Sequence, residues 1–589
     1  SRKATNPEFC NYLFGKNMHR LNGLFLTPIL LAAHSPFIPP AGVVDRQIEE
    51  EYEVKEVEPT KQIPLLEFDL PVKELDIGKK QITIKSIEVS GHTVIRGRVL
   101  RKALKSYLDR PLSMKELKEM CRVIQKKYAE NGYFLTRAYL PPQVIKNGVL
   151  HIEVVEGKLG KVEVVGNKYY GTKFIAGHFD RFIGKPIHYD KILRALFLLD
   201  ENSDLEVGAV FKKGAEFGTA DLIVKVVDKR PIHLTVDTNN YGSDHTTHLR
   251  SGTRLDYGNL VMNGDNLTLI EVLGYPPSHL NFTDIIYHAP VNTNGTSLDF
   301  SYLCANFKTR KIDGIRYVGR SHIGTVKVSQ ALNRTRFLNT DVFSTFDVKQ
   351  IQNFGGGRRT SFDKLRVLSG GALVDYIDGW KGRNLFNASV GWGIPGVFGG
   401  SSAKSRDSSR VGAGGRFIKG NFGWKRLQEL PYNMFLLINT AFQFSLEKLP
   451  LPEQFYIGGI DTVRGYPLAE GISDCGYNTT VEFHVPPPFL RAHKVPWSKK
   501  QTWGEFMQFV GFWDSGQTFS MGTDILREKN VDSDHTKLDG RVMLMSAGPG
   551  IRLHGPWNFE WSFDVGFPVT ERHRSSNTIL YFRVAYKIL

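Results

Sequence analysis

The chain is 589 residues long, with 76 Lys plus Arg against 60 Asp plus Glu and a formal net charge of +16. At 41% apolar it can bury a large surface, which excludes wholesale disorder, and four Cys exclude a scaffold built on disulfides. No run of eighteen apolar residues occurs, so no membrane-crossing helix is expected, whereas a β-barrel, whose strands alternate, stays open.

Taken in chain order, Met18 to Ser35 has a basic start (His19, Arg20), an apolar stretch from Leu21 to Ala33 and then small residues. That is the shape of an export signal, so residues 1–35 read as an extension plus signal peptide cleaved after Ala33 or Ser35. Residues 36–80 follow as an acidic, weakly helical stretch (Val44 to Glu58) and a linker marked by Pro59, Pro64 and Pro71.

Residues 81–157 predict a β-α-α-β-β module. Ile82, Ile84, Ile87 and Val89 read as one strand ending at Gly91, and Val94 to Leu108 as a helix. Ser113 and Glu116 form a capping box for a second helix with Leu117, Met120, Ile124 and Tyr128 on its inner face. Strands over Thr136–Leu140 and Val149–Val155 complete it. The same order recurs over residues 158–229: a strand at Lys161–Val165, helices at Phe174–Ile183 and Tyr189–Leu199, strands at Leu205–Phe211 and Ala220–Val227. Gly91 and Gly166 close equivalent first strands, and a repeat of this kind carries more weight than either copy.

This order resembles POTRA (polypeptide-transport-associated) domains. The stretch from Tyr128 to Asn167 is similar to the POTRA junction of the two-partner secretion transporters, the haemolysin secretion/activation family. An α+β module of this type leaves a sheet edge that an extended client can join. The candidate client-binding residues are Leu205, Val207, Ala209 and Phe211.

From about residue 230 to 589 helical periodicity disappears. Ile232, Leu234 and Val236 alternate with polar neighbours. Leu298, Phe300 and Tyr302 alternate with Ser297, Asp299 and Ser301, while Leu580 to Ile588 sets one apolar face against Tyr581, Arg583 and Lys587. Such alternation predicts an all-β transmembrane barrel, oily outside and wet inside, although a soluble sandwich alternates in the same way. At about 9–11 residues per crossing the segment has room for fourteen to eighteen strands.

Three late motifs bear on function. Val463-Arg464-Gly465-Tyr466 resembles the tip of an inward-folded loop (residues 456–478) of the same transporters. Phe512, Asp514 and Gly516 match their barrel-wall F-x-D-x-G motif, and Ser546 to Arg552 their next Gly-rich strand. Arg464 is expected to pair with Asp514 and pin the loop inside the pore. The resemblance implies sixteen antiparallel strands after two POTRA modules, residence in the bacterial outer membrane with the modules in the periplasm, and export of one large unfolded exoprotein such as a haemolysin, adhesin or filamentous haemagglutinin.

The implied partners are that client, outer-membrane lipid and lipopolysaccharide, and the outer-membrane assembly machinery, with Tyr586 and Phe582 near the C-terminus as the recognised aromatics. A monomer is expected. The alternatives are an assembly factor of the same superfamily, which would open laterally, and a passive porin. No cofactor, metal or catalysis is called for: G-x-S-x-G, H-E-x-x-H and C-x-x-C are absent. The positive charge is scattered, which argues against nucleic acid. Gly399 to Gly415 reads as a flexible polar insertion, and the short acidic stretch is expected to plug a basic lumen partly or not at all.

Overall fold

The structure, a computed structural model, describes Arg46, residues 66–68 and residues 81–588, except 146, 244–245, 313, 499–500, 521–540 and 571–577. The expected export signal, and all of the acidic stretch but Arg46, lie outside the described residues. The chain divides into two compact units. One is Ile63–Arg230 with Asn292–Asn294; the other is Pro231–Val291 and Gly295–Leu589 with Ser1–Gln62.

The first unit holds two cores. Its elements begin with β1 (Leu66–Phe68), β2 (Gln81–Thr83), β3 (Ser86–Ser90), α1 (Gly97–Ala103), β4 (Pro111–Ser113), α2 (Met114–Glu130), β5 (Arg137–Tyr139) and β6 (Val149–Val155). The expected single strand from Ile82 to Val89 is two. β2 pairs with β4, β3 runs parallel to β6, and fully buried Ile84 sits between them. The expected helix from Val94 to Leu108 is also shorter, since Leu104 leaves helical geometry and a single 3-10 turn follows. In α2 the capping box forms: Ser113 Oγ accepts from Glu116 N, and Glu116 accepts from Ser113 N. The periodic residues Leu117, Met120, Ile124 and Tyr128 are buried, with Cys121 beside them.

The second module comprises β7 (Lys158–Val165), α3 (Thr172–Gly177), α4 (Tyr189–Asp200), β8 (Leu205–Lys213) and β9 (Thr219–Asp228). The expected helix to Ile183 stops at Gly177, because Phe179 turns into the core before a 3-10 turn at Asp180–Phe182. Its sheet has the order β1-β8-β9-β7, so a strand from the linker lies parallel to the outer edge of β8. Phe134 from the first module packs against Tyr189 and Phe211 of the second, both at 5.7 Å between ring centroids.

The repeat extends to atoms. Gly91 and Gly166 have φ of +76° and +97°, and a Cβ on either would meet a carbonyl, Val154 O at 2.1 Å or Val226 O at 2.3 Å. Two residues beyond each carbonyl stands a carboxylate that gathers the loop after the glycine. Glu156 accepts from Thr93 N, Val94 N, Thr93 Oγ1 and Tyr128 Oη, and Asp228 from the N–H groups of Lys168, Tyr169 and Tyr170. Burial alone would raise the Glu156 carboxyl, but these donors outweigh it and hold it below the usual carboxylate range.

The second unit is a closed barrel. Its strands are β10 (Ile232–Asn239), β11 (Arg250–Gly258), β12 (Asn266–Gly274), β13 (Leu280–Pro290), β14 (Thr296–Lys308), β15 (Tyr317–Arg334), β16 (Leu338–Gly355), β17 (Arg358–Ile377), β18 (Gly382–Gly393), β19 (Phe417–Leu430), β20 (Met434–Ser445), β23 (Cys475–Val485), β24 (Met507–Phe519), β25 (Val542–His554), β26 (Phe559–Pro568) and β27 (Ile579–Lys587), with β21 (Phe455–Ile457) and β22 (Gly471–Ser473) as a hairpin in the long loop before β23. Every neighbouring pair is antiparallel, and β10 pairs with β27 to close the ring. A short helix α5 (Trp503–Phe506) precedes β24. Alternation sorts the faces: Phe300, Tyr302 and Leu580 are exposed, while Tyr581, Asp514 and Glu482 are buried inward.

Glu156→Gln keeps the shape of that side chain and removes its charge. In the 63–230 unit, urea unfolding at neutral pH should show a loss of about 1.5–3 kcal/mol. Because the folded-state pKa is depressed, the wild-type advantage is present above the ordinary carboxylate range and should vanish as pH falls through the folded value. A gap between the two proteins that persists unchanged in acid would contradict the assignment.

Candidate functional site in the barrel lumen

The chain between β20 and β23 folds into the barrel. Its tip carries Val463 to Tyr466, and the tip's buried apolar contacts are Ile457, Val463, Tyr466 and Leu544. Gly465 has φ +83°, and a Cβ there would lie 3.1 Å from the backbone of Gly566. Only glycine permits so close a passage of loop and wall.

Arg464 is 2% exposed yet carries a full charge. Its Nε and Nη2 donate to the two carboxylate oxygens of Asp514 at 2.7 and 2.8 Å, its backbone N–H donates to Asp514 at 3.1 Å, and Nη1 donates to Glu482 at 2.6 Å. The guanidinium lies 3.5 Å from the ring centroid of Phe512. Phe512 and Asp514 share a face because they alternate on β24. Gly516, next on that face, leaves room for Val463, whose Cγ2 would be 3.0 Å from an added Cβ. The neighbouring strands enlarge the cluster. Arg552 on β25 donates to Asp564 on β26 at 2.8 Å, and His484 stands 3.0 Å from Glu482.

Two tyrosines hold the tip from other sides. Gly465 N–H donates to Tyr581 Oη on the last strand at 2.7 Å, and Tyr466 Oη donates to Met545 O at 2.8 Å. The root of the loop is also tied down. Glu453 takes Lys349 of β16 at 2.9 Å and Lys419 of β19 at 2.8 Å. Asp474 pairs with Arg410 and accepts from Leu449 N and Gln454 Nε2, both at 3.0 Å. Arg410 belongs to the stretch read as a flexible insertion. That stretch makes specific contacts instead: Ser408 Oγ and Ser409 N donate to buried Asp363, and Ser409 Oγ accepts from Leu451 N. Arg46 stands over the ring of Tyr456 on β21 at 5.4 Å.

Glu482, Asp564, Tyr581 and Glu453 carry no motif in the sequence, and Arg552 only ends the Gly-rich stretch from Ser546, which gives it no partner. The available signal was a charge on the inward face of an alternating strand, as with Glu482 and His484. Which of many such charges meet depends on register across four strands. The other sequence candidates belong to the other unit: Leu205, Val207, Ala209 and Phe211 are on β8 with side chains in the second module's core, and of these Ala209 and Phe211 lie opposite β1.

Comparison with known proteins agrees over almost the whole chain. Residues 82–157 match the POTRA domain, ShlB-type; residues 218–498 match the haemolysin secretion/activation protein ShlB/FhaC/HecB; residues 414–587 match the Omp85 superfamily domain. The Heme/hemopexin transporter protein HuxB of Haemophilus influenzae is 21% identical over 561 residues, 90% of this chain and 91% of its own length. The outer membrane transporter CdiB of Escherichia coli is 23% identical over 184 residues, 31% of either chain. Solved structures of CdiB from Escherichia coli (TM-score 0.71, 20% identity, 88% of this chain and 92% of that one) and from Acinetobacter baumannii (TM-score 0.62, 16% identity, 88% and 93%) share the fold. With two POTRA modules, a sixteen-stranded barrel and an inward loop, this chain belongs to the outer-membrane transporters of two-partner secretion.

Proposed function

We propose that the client is a single large secreted protein, still unfolded, that enters by strand addition at the second POTRA module and leaves through a lumen gated by the Arg464 loop. The observation that carries the first step is the pairing of β1 with β8, where Leu66, Glu67 and Phe68 lie opposite Ala209, Val210 and Phe211. That edge accepts an extended segment using backbone groups alone, which any extended client also offers. A client strand there takes the place of the linker strand.

The second step rests on how the loop is held. A bidentate pair between Arg464 and Asp514, with Glu482 as a further acceptor, is strong only in one geometry, since either partner left alone is a buried, uncompensated charge. The cluster therefore acts as a latch with one position. Threading the lumen requires the tip to leave it, and the charges then gain water in the opened pore. Nothing in this account requires nucleotide hydrolysis: folding of the client outside prevents its return, and the reading is of a conduit rather than an enzyme.

Arg464→Ala should weaken the latched position by about 3 kcal/mol or more. The expected result is more frequent channel openings in planar bilayers and reduced export, with heat-modifiable migration of the barrel retained. Wild-type export and conductance from this variant would remove the loop's role. For the edge, adjacent N–H groups of a strand point in opposite directions, so prolines at both 67 and 68 must delete one that faces β8. The doubly substituted protein should bind the secretion domain of its exoprotein client about tenfold more tightly, near 1.4 kcal/mol. Unchanged affinity would place client binding elsewhere.

A further inference from the structure

The barrel wall is uneven. β10 to β12 have 8 or 9 residues, whereas β15 and β16 have 18 and β17 has 20. At about 3.3 Å per residue and a tilt near 40°, a strand of that length rises roughly 50 Å, about twice the apolar band of an outer-membrane barrel. Something must decide which end carries the excess.

The outward residues locate the band. Lys349 faces the lumen, where it meets Glu453, and it lies opposite Ile323 and Leu365, so odd-numbered residues of β15 to β17 point inward here and even-numbered ones outward. On β17 the outward series from Leu368 continues Gly370, Ala372, Val374, Tyr376, while the other half presents Arg366, Lys364 and, beyond the register shift opposite Phe354, Arg359, set about Phe362. β15 repeats this, with Val326 and Val328 at one end and Arg320 and His322 at the other. The apolar half adjoins the turns at 335–337 and 378–381. Because the chain enters the barrel at Ile232 from the periplasmic modules and strands alternate in direction, these are periplasmic turns.

Four consecutive periplasmic turns carry an exposed aromatic at the tip: Phe337 (54% exposed), Trp380 (83%), Tyr432 (65%) and Phe489 (94%). Each has a cation near it in the chain or in space. Arg336 lies 5.2 Å from the Phe337 ring centroid and Arg491 lies 4.5 Å from that of Tyr432; Lys381 follows Trp380 in the sequence, and Arg491 is two residues beyond Phe489. Between β18 and β19 the layers can be read in order. Phe386 stacks on Trp424 at 6.4 Å, then Arg426 pairs with Asp378 at 2.5 Å, and Trp380 lies beyond. The stacked pair marks the usual aromatic girdle on the strands, and the tips form a second tier past the first charges. A headgroup layer of roughly 5–8 Å on each side of the hydrocarbon reaches that far.

We infer that this arc of turns docks into the headgroup layer of the periplasmic leaflet, its rings among the lipid glycerols and Arg336, Lys381 and Arg491 on anionic phospholipid phosphates. Docking fixes that end of the wall, so the excess of β15 to β17 stands on the cell-surface side. Continuity favours lipid as the occupant: Phe337 directly precedes Leu338 on the outward face of β16, and the cations complement anionic headgroups.

The test uses the full chain in nanodiscs of phosphatidylcholine with or without phosphatidylglycerol. Lipid retained after detergent extraction should favour phosphatidylglycerol in the wild type, and W380S/R491E should reduce that preference several-fold while heat-modifiable migration persists. Brominated lipid should quench a Trp380 component that W380F abolishes. Equal lipid selectivity in wild type and variant would overturn the inference. So would a Trp380 signal quenched only by aqueous acrylamide and shielded by added exoprotein, which would assign the tips to the client.

Discussion

Hydrocarbon offers no water to a backbone N–H or C=O, so every strand that enters it must be paired on both edges. The ring from β10 to β27 meets that demand, and closure has consequences beyond stability. It divides each strand into an oily and a wet face, which is why Phe300, Tyr302 and Leu580 alternate with charged or hydroxylated neighbours. It also creates a lumen in which a loop can be buried against charges that lipid would never tolerate.

Inside that lumen the chain spends charge on position rather than on cohesion. Two arginines, three carboxylates and a histidine are brought together where desolvation offsets most of the Coulombic gain. Such a cluster adds little net stability but tolerates few alternative arrangements. The root of the loop is treated in the same way, with Glu453 between two lysines and Asp474 held by Arg410. Tip and root are thus fixed by separate contacts, and a motion that frees the tip need not free the root.

The soluble modules face the same edge problem with a different solution. An open sheet keeps an unpaired edge, and β8 satisfies its edge with three residues of the chain's own linker. So short a strand covers the edge with few bonds, and the proposed exchange with a client strand draws on that. The carboxylates Glu156 and Asp228 each hold the loop that follows the first strand of their module.

The repeated β-α-α-β-β order was enough to read two small α/β modules, and alternation enough to read a run of strands, because these depend on local periodicity; that the strands close into a barrel rather than a sandwich came from the family resemblance and the structure. The capping box at Ser113 and the inner face of α2 were legible for the same reason. Arg464, Asp514 and Gly516 could be named from motifs, and Arg552 closed a third one without a partner. Their companions Glu482, Asp564 and Tyr581 could not be named, since the meeting of residues far apart in sequence is set by the register of strands around a closed ring. Burial split the strand at Ile84 and ended two helices early, at Leu104 and before Phe179, where a side chain's place in the core outweighed helical pattern. The chain's own spacing determined which elements form; only tertiary structure decided which charges face one another, because a β-strand's partners are chosen across space and not along the sequence.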